Sequence, residues 1–247
     1  MTSDLCQTWS NRALINGLKY LYNSIFLNND LLISRLRKLG VAIGDDVTFY
    51  CPKEMTVDIQ NPHLITIGDH VKITGPSTIL THDYSWGVIK GKTGEVLGNQ
   101  KHVTIGNNIF IGWGATILCG TTIEDNVIVG AHSVVSGRLE HDSVYAGVPA
   151  KKVCSLECYR EKRASAQLEE AKDYVVRFRR RFGRDPRADE MREYFFLWAT
   201  PDRLNDSYVF QMSLMGTYDK SEAILATPRQ FNSFEQFLAY CDNAEVE

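Results

Sequence analysis

The chain has 247 residues, which is enough for one domain with attachments or for two modest domains. Hydrophobic residues make up 44% and charged residues 23% of the sequence, as in an ordinary globular protein. No run of about 18 apolar residues predicts a membrane span. The 27 basic and 30 acidic residues give a net charge of -3, which argues against a nucleic-acid partner.

The six cysteines form no CxxC pair, and the N-terminus lacks the charged region and small-residue cleavage site of a signal peptide. We therefore expect reduced thiols in a cytoplasmic protein, with the inner face of the membrane as the surface that it could contact.

Residues 1–40 are predicted to form a helical cap. Gly40 is the predicted end of the second helix. Two roles fit this segment: closing the open end of the coil that follows, which we favour, and peripheral contact with a membrane surface through nearby basic residues. Leucine and isoleucine recur there at helical spacing, at Leu14, Leu18, Leu21, Ile25, Leu32, Leu36 and Leu39, and the basic residues are Arg35, Arg37 and Lys38.

Between Val103 and Gly137, β-branched aliphatic residues recur at every sixth position. A strict period of six fits neither a strand, with its period of about 2, nor a helix, with about 3.6. It indicates a three-sided prism of short parallel strands, in which each third repeat stacks on the first. Glycine after the aliphatic residue allows either a corner with positive φ or a close backbone approach. The aliphatic positions are Ile105, Ile111, Ile117, Ile123, Val129 and Val135, and glycine follows at 106, 112 and 130.

The same register begins faintly before this stretch. Its predicted positions are Ile43, Phe49, Met55, Ile67, Ile73 and Ile79. From Ile79 to Ile105 there are 26 residues, four repeats plus two, so the segment 83–102 is predicted to leave the coil as a glycine-bearing loop. A long loop on a rigid scaffold usually carries function.

Residues 155–247 are predicted to form a helical extension. One helix is expected from Leu156 to Arg181, and a second is expected to open at Asp185-Pro186 and continue through Trp198. Ser233 and Gln236 match a capping box before a last helix. We expect the aromatic residues of this region to form a core. The basic run 177–181, with Phe178 and Phe182, fits a solvated helix face, which we favour, or a phosphate site for a lipid- or nucleotide-linked sugar.

His82 is a candidate general base, because it lies at the mouth of the ejected loop and histidine as a residue type titrates near neutral pH. On the residues alone, a histidine beside an acidic residue on a turn is more often structural, so both roles stay open at this point. Asp83 could orient the ring, but adjacent side chains rarely meet in the required geometry. We therefore expect a backbone carbonyl to hold the ring nitrogen.

The repeat, the loop after THD, the segment IGNNIFIGWGATIL and the ending AGVPAKKV together resemble the hexapeptide-repeat acyltransferases. The nearer groups are the maltose, galactoside and xenobiotic O-acetyltransferases and the polysaccharide O-acetyltransferases, and the match covers residues 33–153. The tail segments YREKR, FGRDP and FNSFEQFLAYC resemble acetyltransferases of capsular and lipopolysaccharide clusters.

This resemblance implies a mainly β fold, a left-handed parallel β-helix of hexapeptide repeats with a helical cap, an ejected loop and a C-terminal helical extension. The corresponding domains are 1–40, 41–154 with the loop 83–102, and 155–247. It also implies a homotrimer that uses acetyl-CoA as acyl donor, without a metal, to acetylate a sugar hydroxyl in surface polysaccharide biosynthesis.

The resemblance further assigns roles to individual residues. His82 matches the family's base, and the backbone N–H of Trp113 matches the donor to the oxyanion. The other cofactor-binding positions are Ala131, Ser136, Lys151 and Lys152, and the acceptor is expected to contact Asp83, Tyr84 and Trp86 in the loop. The chain departs from the family pattern at Phe110, where many relatives carry tryptophan, and at Gly137-Arg138, where threonine-lysine is frequent.

Two alternatives remain open, and two more are disfavoured. The chain could acetylate the amine of a nucleotide-linked amino sugar, or serve as a non-enzymatic β-helical scaffold. A zinc site like that of the γ-class carbonic anhydrases needs two histidines close together on one strand, and the six histidines offer no pair at spacing four or five. An acyl-enzyme at Cys119 is disfavoured because no histidine lies at a neighbouring register, which makes this cysteine a wall residue.

Overall fold

The computed structural model describes residues 27–242, which divide into two compact units, up to Leu156 and from Glu157 onward. All strands of the described residues lie in the first unit, as short segments of two to five residues. In chain order they are β1 (Ala42–Ile43), β2 (Thr48–Tyr50), β3 (Thr56–Val57), β4 (Ile65–Ile67), β5 (Val71–Thr74), β6 (Thr78–Ile79), β7 (His82–Asp83), β8 (Asn99–Gln100), β9 (Val103–Ile105), β10 (Ile109–Ile111), β11 (Thr116–Ile117), β12 (Thr122–Ile123), β13 (Val127–Val129), β14 (Val134–Val135), β15 (Arg138–Leu139), β16 (Ser143–Ala146) and β17 (Lys151–Ser155).

These strands form the three faces of a parallel β-helix. The first face stacks β1, β4, β9, β12 and β15, the second stacks β2, β5, β10, β13 and β16, and the third stacks β3, β6, β11 and β14. At the end of the coil β17 turns back and pairs antiparallel with β16.

The stacking of every third repeat is confirmed. Ile105 pairs with Ile123 on the first face, and Ile117 pairs with Val135 on the third face. The six aliphatic side chains of this stretch are at most 1% exposed, so together they form the axis of the core. Burying one such side chain contributes about 1.5–3 kcal/mol, and this column of contacts is the main reason for the fold.

The glycines that follow the aliphatic residues allow close backbone approach between neighbouring coils and do not provide corners with positive φ. A Cβ added to Gly112 would lie 2.6 Å from the backbone nitrogen of Ala131. The left-handed backbone occurs two residues later, for example at Asn108 (φ 55°), Asn126 (φ 60°) and His132 (φ 54°). Asparagine and histidine tolerate this conformation better than most residues, so the corner does not require glycine there.

The corner after the first face is stabilised by a ladder of short polar side chains. Each accepts a hydrogen bond from a backbone N–H of the preceding coil: Asp69 from Asp45 (2.7 Å), Asn107 from Asp69 (2.8 Å) and Asp125 from Asn107 (2.7 Å). The backbone donors at this corner are thereby satisfied without continuous strand pairing.

The predicted register is wrong at Met55. Val57 occupies that position instead and pairs with Ile79, whereas Ile43 and Phe49 pair with Ile67 and Ile73 as expected. A short 3₁₀ helix, Pro52–Glu54, lengthens the second corner of the first coil. This insertion shifts the register by two residues.

Of the predicted helical cap, residues 1–40, the structure describes the part from residue 27 onward. Helix α1 (Asn29–Leu39) ends at Gly40, which has φ 109° as a C-terminal glycine should. Leu32 and Leu36 are buried in the same core as the β-helix, which supports the capping role. The positions Leu14, Leu18, Leu21 and Ile25 lie outside the described residues.

The ejected segment 83–102 has structure of its own. Its base is a hairpin of β7 and β8, and its far part contains helix α2 (Trp86–Thr93), which ends at Gly94 with φ 84°. The hairpin fixes both ends of the segment to the third corner of the coil.

The second unit is helical and has a separate aromatic core. Its helices are α3 (Leu156–Phe182, which begins one residue before the unit), α4 (Asp206–Ser213), α5 (Tyr218–Leu225) and α6 (Phe234–Asp242). Phe195, Trp198 and Phe237 are among its buried residues, as expected for a core.

The helix predicted from Asp185-Pro186 to Trp198 is wrong. Two 3₁₀ helices, Ala188–Met191 and Phe195–Leu197, stand in its place. The predicted capping box is half formed: the Ser233 hydroxyl accepts from the Gln236 N–H at 3.2 Å, but the Gln236 side chain accepts from Asn232 instead.

The fold class is confirmed as a left-handed parallel β-helix with a cap, an ejected loop and a helical extension. Among residues 27–242 there is no helix with the length and apolar character needed to cross a membrane.

Candidate functional site

The candidate base, His82, is held by a carboxylate. Its Nδ1 lies 2.5 Å from Oδ2 of Asp58, a residue 24 positions earlier in the chain. Asp58 directly follows β3 and His82 begins β7, so both lie at the corner after the third face, in neighbouring coils. The Asp58 side chain is 4% exposed and the His82 side chain 28%, so the carboxylate lies behind a ring that reaches solvent.

The Asp58 carboxylate receives several hydrogen bonds. The Thr81 hydroxyl and N–H donate to Oδ2 at 2.5 and 3.0 Å, and the Gln60 N–H donates to Oδ1 at 2.9 Å. Burial raises the pKa of this carboxyl, but the hydrogen bonds from Thr81, Gln60 and His82 outweigh that effect. They lower the pKa of Asp58 from 3.8 to about 2.

This geometry decides which nitrogen of His82 can act as a base. A carboxylate that stays ionised at neutral pH can only accept hydrogen bonds, so Nδ1 must be the protonated nitrogen. In the neutral ring the lone pair is then on Nε2, on the side away from Asp58. The arrangement can take a proton from a hydroxyl and hold the resulting imidazolium beside a negative charge.

The expectation that a backbone carbonyl holds the ring is therefore wrong, and sequence reasoning missed Asp58. A signal was present: Asp58 is the one acid in the stretch TVDIQNP and directly follows a register position. The prediction gave the inward position of this coil to Met55 instead of Val57. It therefore did not place Asp58 at the same corner as His82.

Asp83, which was predicted to contact the acceptor, stabilises the loop base. Its Oδ1 accepts from the Ser85 N–H at 2.9 Å, and its Oδ2 accepts from the amide of Asn99. The same amide lies 3.5 Å from the Sγ of Cys119, which is half-buried. Asp83 and Asn99 thus close the hairpin at the corner that carries His82.

The other two predicted acceptor residues form an aromatic pair on the loop. The rings of Tyr84 and Trp86 lie 4.5 Å apart, and Tyr84 is 73% exposed. They follow His82 in the chain by two and four residues.

Trp113 and Ala131 lie one above the other at the corner after the second face, since Ile111 pairs with Val129. The side-chain hydrogen bonds at this corner, such as that from the Thr74 hydroxyl to the carbonyl of Ile111 at 2.8 Å, leave these two backbone N–H groups uncovered. In the described part of the chain, the backbone N–H groups of both residues donate to no acceptor. Such open donors can bind an oxyanion or the amide oxygens of a pantetheine arm.

Ser136 lies at the corner that carries His82, two coils further along. Neighbouring strands are spaced by about 4.8 Å, which places Ser136 roughly 10 Å from His82 along the coil axis. Lys151 and Lys152 are exposed on β17, and Lys152 forms a 3.1 Å ion pair with Glu140. Lys151 thus has the freer ammonium for a phosphate.

One chain does not assemble all the predicted residues. His82 and Ser136 belong to the corner after the third face, whereas Trp113 and Ala131 belong to the corner after the second face. Phe110 is 42% exposed on the second face. The two sets of residues therefore lie on different edges of the coil.

Within residues 27–242 there is no group of three or more His, Cys, Asp or Glu side chains arranged to hold a metal ion. The side chains at this position are one imidazole and one carboxylate that already accepts hydrogen bonds from Thr81, Gln60 and His82, an arrangement that suits proton transfer.

Comparison with known proteins gives several relatives, although no protein-family model matches the chain. Protein CapG of Staphylococcus aureus is 39% identical over 136 residues, which are 55% of this chain and 78% of that protein. The galactoside O-acetyltransferase of Escherichia coli K12 is 35% identical over 103 residues, 42% of this chain and 49% of that enzyme.

A shorter match reaches a protein of Escherichia coli K12 named as a lipopolysaccharide biosynthesis O-acetyl transferase, WbbJ. It is 49% identical over 49 residues, 20% of this chain and 25% of that protein. The chain thus covers most of CapG but half or less of the two O-acetyltransferases.

Proposed function

Because the chain belongs to the hexapeptide-repeat acyltransferase family, we propose that it transfers the acetyl group of acetyl-CoA to a sugar hydroxyl during surface polysaccharide assembly. The observation that carries the proposal is the Asp58–His82 pair at the base of the ejected loop. The galactoside and lipopolysaccharide O-acetyltransferases among the relatives support a sugar acceptor.

In the proposed mechanism, Nε2 of His82 accepts the proton of the sugar hydroxyl as its oxygen attacks the thioester carbonyl carbon. A tetrahedral oxyanion forms, the C–S bond breaks, and the imidazolium returns its proton to the CoA sulfur. Asp58 stays ionised throughout and stabilises the imidazolium. A positioned base of this kind contributes about 10²- to 10⁴-fold to the rate.

We place the active site between two copies in a homotrimer. The oxyanion would then be bound by the Trp113 N–H of a neighbouring copy, which has no acceptor among the described residues of its own chain. Ala131 and Ser136 would contact the pantetheine arm, and Lys151 the phosphates of CoA. The loop 83–102 would close over the acceptor, with Tyr84 and Trp86 against the sugar.

The test is CoA release measured with acetyl-CoA and a set of free sugars and oligosaccharides. We expect His82→Ala to lower turnover about 10²- to 10⁴-fold. The matched control is His141→Ala, because His141 also pairs through Nδ1 with a carboxylate, that of Asp142 at 2.8 Å, but is exposed on another corner. Equal turnover in the His82 variant and the wild type would remove this histidine from the mechanism.

The same assay also distinguishes a hydroxyl acceptor from an amine acceptor. If a nucleotide-linked amino sugar is acetylated on its amine much faster than any hydroxyl, the chain is an N-acetyltransferase. A monomer in sedimentation experiments that is nevertheless active would refute the composite site.

A further inference from the structure

Helix α3 carries three aromatic residues on one face that the helical core does not cover. This aromatic ladder consists of Tyr174, Phe178 and Phe182, spaced by four residues and hence about 6 Å apart along the helix. Neighbouring ring centroids lie 6.0 and 4.5 Å apart. Phe182 is 61% exposed and Tyr174 36%, in contrast to the buried rings of the core.

The ladder forms the floor of an open cleft within the second unit. The cleft has a volume of about 620 Å³, and this size suits several linked sugar rings. Tyr194 extends the floor, with its ring 6.4 Å from that of Tyr174. The hydroxyl of Tyr174 donates to the carbonyl of Glu190 at 3.1 Å, which fixes the first ring of the ladder.

The charges around the cleft are almost all paired. Arg163 donates to Glu170 at 2.8 Å, and Arg177 holds Asp173 through a bond of 2.6 Å. Arg181 also lines the cleft, next to Phe182, and forms no ion pair with any residue in the range 27–242. One guanidinium is therefore left to meet an anionic group.

We propose that this cleft binds a saccharide chain that carries acidic groups, as part of the acceptor. The inference rests on the proposed sugar acceptor and extends it from a single ring to a chain. The apolar C–H faces of successive sugar rings would pack on the aromatic ladder, and the paired carboxylates and guanidinium groups at the rim would bind hydroxyls. Arg181 would bind a carboxylate or phosphate of the chain.

The charge pattern favours this ligand over others. A nucleic acid would need many free cations, whereas the cleft supplies one. An apolar lipid tail would leave the ion pairs of Glu170 and Asp173 facing hydrocarbon. A polyhydroxylated chain satisfies both the rings and the charged rim.

Saturation-transfer NMR on the full chain tests the proposal without requiring acetyl transfer. The probes are hexasaccharides of hyaluronan, chondroitin, alginate and polygalacturonate, with maltohexaose and chitohexaose as neutral counterparts. We expect at least one acidic hexasaccharide to receive saturation at its ring protons and to bind at least fivefold more tightly than either neutral one.

Two variants and two matched controls locate the binding. Phe182→Ala and Arg181→Gln should each weaken binding of that acidic hexasaccharide at least fivefold. Phe210→Ala and Arg180→Gln should leave it unchanged, because Phe210 is also 61% exposed and Arg180 adjoins Arg181, yet neither lines the cleft. His82→Ala should bind like the wild type, which separates this result from the outcome of the transfer assay.

Three results would overturn the proposal: no binding of any acidic hexasaccharide, equal binding of the neutral ones, or equal effects in the control variants. A change in the sedimentation of Phe182→Ala without any change in saccharide binding would also overturn it, since the cleft would then be a contact between copies.

Discussion

The carboxylate of Asp58 lies 2.5 Å from Nδ1 of His82, although the two residues are separated by 24 positions in the chain. The contact exists because β3 and β6 pair in the third face, so the residues that follow them meet at one corner. Hydrogen bonds from Thr81 and Gln60 hold the Asp58 carboxylate in place independently of its contact with the ring. The orientation of His82 is therefore set by the rigid coil and not by the loop.

Replacing Asp58 tests whether this contact matters for catalysis. We expect Asp58→Asn to lower kcat about tenfold or more, because the amide no longer fixes the Nδ1–H tautomer or stabilises the imidazolium. The KM for acetyl-CoA should stay near the wild-type value. The ¹⁵N shifts of His82 should move toward a mixture of tautomers, which a merely structural role of Asp58 would not produce.

The control for that variant is Asp142→Asn. Asp142 also holds a histidine Nδ1, that of His141, but at an exposed corner. A loss of activity in Asp142→Asn comparable to that in Asp58→Asn, or unchanged His82 shifts in the latter, would contradict the positioning role.

The low pKa of Asp58 also predicts a pH dependence of stability. Its pKa is about 2 in the folded chain against 3.8 ordinarily, so the ionised form favours folding above about pH 4. This contribution, about 2 kcal/mol, is lost as the pH falls from 4 through 2. Urea unfolding of the wild type and Asp58→Asn, followed by circular dichroism, should show a difference that shrinks over that range. A difference that is constant with pH would contradict the prediction.

The sequence predicts the coil because its information is local and repeated. Ile105, Ile111 and Ile117 each lie on a different face of the coil, and a period of six can be recognised in the sequence without knowing any long-range contact. The prediction fails at Met55, where a 3₁₀ helix inserts residues that no repeat marks. The same error concealed Asp58, whose role depends on a pairing between different coils.

The second failure has a different physical cause. Between Asp185 and Trp198 the apolar spacing resembles that of a helix, but Phe195, Leu197 and Trp198 are all buried, and residues one and two positions apart cannot share the buried face of a regular helix. Packing into the aromatic core therefore decides the backbone there and overrides the local pattern. The repeat alone gives the positions of Trp113 and Ser136 on the coil. Their position relative to His82 could be read only from the strand pairing in the structure.

Close packing between coils predicts a strong effect of a small substitution. Gly112→Ala would place a Cβ 2.6 Å from the nitrogen of Ala131 and 2.8 Å from the carbonyl oxygen of Val129, both of them backbone atoms that cannot move aside. We expect a loss of about 1–3 kcal/mol of unfolding free energy. Gly91→Ala is the control, because a Cβ there meets nothing within 4 Å. In helix α2 that change should be neutral or stabilising by about 0.5–1 kcal/mol. Denaturant unfolding of both variants checks the prediction, and equal midpoints would refute it.

The aromatic pair on the loop predicts a separation of the two substrates in kinetics. Trp86 packs against Tyr84 at 4.5 Å and follows His82 by four residues, and in the proposed function its ring contacts the acceptor and not the CoA arm. We expect Trp86→Ala to raise the KM for the sugar about 3- to 10-fold, as loss of an aromatic contact of about 0.5–1.5 kcal/mol would do. The KM for acetyl-CoA should change little. Val88→Ala, in the same helix and 81% exposed, should leave both constants unchanged. Initial rates with each substrate varied in turn give the answer, and a rise in the KM for acetyl-CoA alone would place Trp86 on the donor side of the site.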